Sequence, residues 1–100
     1  MTARKIQTGL WIENKILYSD LSLLEKVILS DVISLSKGAN EFVKLNKTLA
    51  DTFNVSLRTI NVCMKSLIDK GLIETKITYP YGSIKKKRVI YPINNNINNL

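Results

Sequence analysis

The chain has no histidine and a single cysteine, and these two shortages close off most of the catalytic and metal chemistry open to a small protein. Zinc sites of the common kinds draw on several Cys and His ligands, and Cys-His or Ser-His-Asp arrangements need a histidine as base. The lone Cys63 can form no internal disulfide. It falls on the apolar stripe of a helical segment, where cysteine acts as a small hydrophobe; a redox-sensing thiol is the sharper alternative. The four glycines are scattered, and none builds a Walker or dinucleotide loop. Acidic residues number only eight and stand apart, so no pair of carboxylates suggests general acid and base work. The chain reads as a non-enzyme with no cofactor, no metal and no evident small-molecule substrate.

No apolar run approaches the roughly 20 residues that span a bilayer. The start, Met1-Thr2-Ala3-Arg4-Lys5, leads into no apolar stretch of signal-peptide type. A cytoplasmic setting with no membrane partner is the expectation.

What is abundant is positive charge. The net charge is +7 over 100 residues with a pI near 9.7, which points to a polyanionic partner. The excess is uneven: residues 1–50 hold seven Lys/Arg against five Asp/Glu, and residues 51–100 hold eight against three. One hundred residues make one domain with a modest core. Isoleucine, asparagine and lysine are frequent, as AT-rich codons would produce.

The stretch 46–71 is organised as two apolar-periodic segments joined by Asn54-Val55-Ser56, a link only long enough for a tight corner. Leu49, Ala50 and Phe53 face a core from the first segment, with Asn46 as its candidate N-cap. Asn54 suits a left-handed helix end, and Ser56 is a good N-cap for the second segment. Ile60, Cys63, Met64, Leu67 and Ile68 recur at three- and four-residue spacing, predicting a buried stripe. The opposite face carries Arg58, Asn61, Val62 and Lys65, with Leu57 at the exposed tip, as a helix that enters a DNA groove requires.

Upstream, residues 1–9 have no period and read as a mobile arm. Trp11 opens an apolar segment that runs to Leu17, its ring either anchored at a core edge or free to stack on a base. Ser22 and Glu25 form a capping box ahead of a helix whose stripe is Leu24, Val27, Ile28, Val32 and Leu35. Leu29 and Ile33 form a second apolar flank, which needs cover from the 11–17 segment or from a second subunit. Gly38 is placed to end this helix. Downstream of Gly71 the period turns alternating, with Ile73, Thr75, Ile77 and Tyr79 on one face. Pro80-Tyr81-Gly82-Ser83 is a turn, and Ile84 to Tyr91 returns as a second strand opening with Lys85-Lys86-Lys87-Arg88. Residues 94–100, rich in asparagine, read as a disordered tail or a linker.

The pattern Leu-Ala, Asn-Val-Ser, Arg-Thr-Ile and Lys-Gly-Leu-Ile, with Leu10-Trp11-Ile12 and Leu21 to Lys26 upstream, resembles the winged helix-turn-helix family of bacterial DNA-binding domains. It is similar in particular to domains of phage and plasmid replication proteins and small regulators of low-GC bacteria, over residues 10–93. The resemblance implies a mainly α fold with a β-hairpin wing: a three-helix core plus a small antiparallel sheet. Residues 56–70 are then the recognition helix and residues 73–92 the basic wing, with a strand near Phe42-Val43-Lys44-Leu45 pairing with the wing. Its implied partner is double-stranded DNA, bound with or without a second copy as a homodimer, in replication initiation or transcription regulation of a mobile element.

Arg can bond guanine at two points and Asn adenine at two, so Arg58 and Asn61 are the candidates for base readout. Leu57 and Val62 suit thymine methyls. Ser56, Thr59 and Lys65 suit phosphates, as do Asn46, Lys47 and Thr48 at the start of the preceding helix. The Thr59 hydroxyl can equally be bonded inside the corner. In the wing, Lys85, Lys86, Lys87 and Arg88 would meet backbone or minor groove, with Tyr81 and Ser83 at the tip. Two other functions fit parts of the pattern. A winged helix can serve as a protein-interaction module, which would favour an apolar or acidic outer face. A lysine run can instead bind nucleic acid or anionic surfaces non-specifically, or be only a solvated face.

Overall fold

The computed structural model describes residues 3–5, 11–37, 41–82 and 84–100, with residues 3–5 and Trp11 described by backbone alone. In chain order the elements are β1 (Ala3–Lys5), β2 (Trp11–Glu13), α1 (Asn14–Leu17), α2 (Leu23–Leu35), α3 (Asn46–Phe53), α4 (Leu57–Asp69), β3 (Ile73–Thr78), a 3-10 turn (Pro80–Gly82), β4 (Lys87–Pro92) and α5 (Asn94–Asn98). The molecule is thus mainly helical, with the two-stranded antiparallel pairs β1–β2 and β3–β4. Among the described residues no helix is long and apolar enough to cross a membrane. The Trp11 ring, Gly38 and Ser83 lie outside the described part.

The long helix α2 starts where its sequence says it should. Ser22 Oγ accepts the Glu25 N–H at 3.2 Å while Glu25 Oε1 accepts the Ser22 N–H at 3.0 Å, closing the capping box. Val27, Ile28, Leu29 and Val32 are buried, whereas Leu35, expected on the same stripe, is 39% exposed in the last turn. The second flank is covered from within the chain. β2 and α1 pack against α2, bringing the fully buried Ile12 and Ile16 into one core with Leu29, against which Ile33 also packs. Residues 3–5, expected in a mobile arm, pair with 11–13 in antiparallel register.

Two helix ends determine the rest. Asn54 adopts φ 54° and ψ 48°, and the Val55 N–H reaches back to the Ala50 carbonyl at 3.0 Å. The left-handed residue turns the chain sharply after α3, and asparagine tolerates that conformation better than most side chains. Ser56 then caps α4, its Oγ accepting the Thr59 N–H at 3.1 Å. At the far end of α4, Gly71 has φ 71°. The Gly71 N–H bonds the Ile68 carbonyl at 2.9 Å and the Leu72 N–H bonds the Leu67 carbonyl at 3.0 Å, a complete Schellman motif. It sends the chain straight into β3.

Ile60, Cys63, Met64 and Leu67 are buried as their spacing predicts. Ile68, placed on the same stripe, is 42% exposed, because the core covers a narrower arc at the C-terminal turn than the sequence spacing allows for. A second correction concerns α3: its N-cap is Leu45, with no side-chain bond, and Asn46 is its first helical residue. The Asn46 side chain reaches instead toward α4.

β3 and β4 pair in register from Ile73 opposite Pro92 to Thr78 opposite Lys87. Ile73 is buried, but Ile77 is 49% exposed and Tyr79 is 57% exposed, so the hairpin leaves the core after its first residues. β4 lies between β3 and the single bridging residue Phe42, whose carbonyl accepts the Ile90 N–H at 2.9 Å. The pairing expected along 42–45 is thus one bridge, and Phe42 and Ile90 are both buried. The strand expected from Ile84 begins only at Lys87, which leaves Lys85 and Lys86 in the turn.

The asparagine-rich end is α5, not an unstructured tail. Ile97 is buried in the core, the Ile93 N–H bonds the Leu72 carbonyl at 2.9 Å, and Asn96 Nδ2 donates to the Gly71 carbonyl at 2.6 Å. Ile93 and Ile97 stand four apart, a helical spacing that the surrounding asparagines obscure.

Candidate nucleic-acid interface

The outer face of α4 is available along its length. Leu57 is 47% exposed and Val62 61% exposed, and Arg58, Thr59, Asn61 and Lys65 are all exposed. The buried stripe on the opposite side fixes the rotation of this helix, so its N-terminal half points these side chains away from the core. Lys65 pairs with Asp69 at 3.4 Å one turn on, with both side chains well exposed. Such a pair adds little stability and can be exchanged for another anion.

The corner uses two of the expected contact residues internally. Ser56 Oγ and Thr59 Oγ1 lie 2.8 Å apart and hydrogen-bond each other, on top of the capping bond. This matches the alternative in which the Thr59 hydroxyl closes the corner. Lys47 and Thr48 are exposed on the first turn of α3.

An open groove joins α3, α4 and the hairpin. Asn46, Asn61, Met64, Lys65, Thr75 and Arg88 are among its lining residues. Across it Asn46 Nδ2 donates to Asn61 Oδ1 at 2.9 Å. The sequence does not announce this pair, since nothing in residues 15 apart on separate helices marks them as partners.

The four consecutive bases divide into two kinds. Lys85 and Lys86 are exposed beyond the last strand pair. Lys87 Nζ bonds Glu41 at 2.6 Å, and that carboxylate raises the lysine pKa. Arg88 is turned inward: its Nη2 donates to the Lys44 carbonyl at 2.8 Å, and partial burial lowers its pKa. Lys44 itself pairs with Asp31 at 3.1 Å. Two of the four expected backbone-binding bases are therefore engaged in holding β4 to the 41–45 segment. Strand alternation predicts that neighbouring bases point to opposite faces but not which of them finds an internal partner. At the turn, Tyr81 has φ 53° and a fully exposed ring, and Ile84 is 96% exposed.

Among the described residues no cluster of His, Cys, Asp and Glu is suited to a metal ion. Comparison with protein-family models, with curated proteins and with solved structures finds no match to the chain.

Proposed function

We propose that the chain is a winged helix-turn-helix domain that binds double-stranded DNA in a sequence-specific way. The observation that carries the proposal is the exposed N-terminal half of α4, which offers Arg58 and Asn61 between Leu57 and Val62 above a fully apolar buried stripe. A helix fits the major groove, and each base pair presents a distinct pattern of donors, acceptors and methyl groups there. Arg58 and Asn61 read base edges, and Leu57 and Val62 meet thymine methyls. Lys47, Thr48 and Lys65 hold phosphates beside the groove. Lys85 and Lys86 at the end of the hairpin, acting as a wing, hold the backbone or minor groove further along.

The biological setting that fits this chemistry, and that the sequence resemblance suggests, is replication initiation or transcription regulation in a mobile element. One observation favours a second reading, a protein-interaction module. Ile77, Tyr79, Tyr81 and Ile84 leave an apolar surface exposed on the hairpin. Arg58, Asn61 and Lys65 on α4 weigh against it as the main role.

Selection of bound sites from random duplex DNA tests the proposal. Enrichment of one short motif, with affinity falling linearly in log salt, is the expected result. Failure to enrich any duplex, together with capture of a protein partner, would favour the second reading.

A further inference from the structure

We infer that Asn46 is a specificity-determining positioning residue, holding the Asn61 amide in one orientation so that its NH2 end is the one offered to a base. The inference rests on the DNA-binding proposal above and adds a residue that does not itself read a base. Asn46 is free for this task because α3 is capped at Leu45 without any side-chain bond. Its Nδ2 crosses from α3 to α4 and donates to Asn61 Oδ1 at 2.9 Å. The bond fixes which way round that exposed amide sits and takes one of the two acceptor sites of Asn61 Oδ1, so Nδ2 is the end left fully available to DNA.

The sense of the amide has a physical cause in the groove. Asn46 Oδ1 and Arg88 Nε are both buried atoms without a hydrogen bond among the described residues, and both residues line the same groove. With a cationic residue lining the same groove, the carbonyl is the electrostatically favoured end of Asn46 to leave unbonded, and its NH2 end is the one given to Asn61. An unrestrained asparagine can bond adenine at two points by offering both donor and acceptor. Restrained in this way, Asn61 favours an acceptor: a purine N7, guanine O6 or thymine O4.

The test uses the full chain and the duplex that the wild type selects from random DNA, with each base pair varied in turn. Asn61→Ala, Asn46→Ala, the double variant and Asn46→Asp are compared, with melting temperatures recorded to confirm folding. Asn46→Ala and Asn61→Ala should lose preference at the same base pair, each by roughly 5- to 100-fold. The double variant should be no worse than Asn61→Ala. Asn46→Asp, which can only accept, should turn the Asn61 amide over and shift preference toward a base that presents a donor. An even loss on every sequence for Asn46→Ala, or losses that multiply in the double variant, would reduce Asn46 to a phosphate contact and overturn the inference while the DNA-binding proposal stands. A wild type that binds no duplex, or binds all alike, would overturn both.

Discussion

Ser66 Oγ donates to Glu25 Oε2 at 2.7 Å, tying the C-terminal half of α4 to the first turn of α2 across 41 residues of chain. Lys70 Nζ reaches the same oxygen at 3.2 Å, and the other carboxylate oxygen closes the capping box of α2. One nearly buried carboxylate thus organises a helix start and a helix–helix contact together. The rotation of α4, and with it the face it offers to a partner, depends on this junction and on the buried stripe.

The junction makes stability depend on acid. Burial alone would raise the Glu25 pKa, but hydrogen bonds from Ser66, Ser22 and Lys70 outweigh it and lower the value from 4.5 to about 2. A carboxyl whose folded pKa is depressed stabilises above its unfolded pKa and loses that contribution as pH falls through the folded one. Glu25 should therefore contribute about 3 kcal/mol at neutral pH, lost between about pH 4.5 and pH 2. Urea unfolding at a series of pH values should show this loss in the wild type and little of it in Glu25→Gln. Equal pH dependence in both proteins would contradict it.

Asn54→Ala should destabilise by about 1 kcal/mol or more, since alanine resists the left-handed backbone at this corner. Asn54→Gly should be near neutral. Denaturant midpoints check the pair, and equal losses for both would point to the side chain of Asn54 and not to its backbone.

Ile97→Ala should lower stability by about 2–4 kcal/mol, as expected for truncating a buried isoleucine. A solvated tail would show no change. Thermal and urea unfolding distinguish the two outcomes.

The helical core was legible because each of its signals is local. The Ser22–Glu25 box, Asn54 before Ser56, the Ile60 to Leu67 stripe and Gly71 as a stop each act within one or two turns, and all are found in the structure. What was not legible depends on contacts between distant segments. Ile68 keeps its helical spacing yet is only partly covered, at the edge of the groove, and Ile97 is hidden among asparagines whose short helix depends on docking. Arg88 differs from Lys86 because it lies within β4, beside the Lys44 carbonyl, whereas Lys86 is still in the turn. The Asn46–Asn61 bond spans two helices whose approach only the folded corner sets.

The split among the bases gives a further expectation. Lys86→Ala should leave stability unchanged and lower the salt slope of DNA binding by about one. Arg88→Ala should instead lower stability by roughly 1.5–3 kcal/mol through loss of a charged, partly buried hydrogen bond. Paired urea and salt titrations check both. The reverse pattern would contradict the division of the run into solvent-facing and inward-facing bases.

If α4 reads sequence, Arg58 in its first turn should be a main carrier of that readout. The measurement is a salt titration of wild type and Arg58→Ala on a selected duplex and on a scrambled one. Arg58→Ala is predicted to cost about 1–3 kcal/mol on the selected duplex and to relax the preference at one G·C pair, with a much smaller change on the scrambled duplex. Equal losses on both duplexes would reduce Arg58 to a phosphate contact, and no measurable binding of either duplex by the wild type at low salt would contradict the account as a whole.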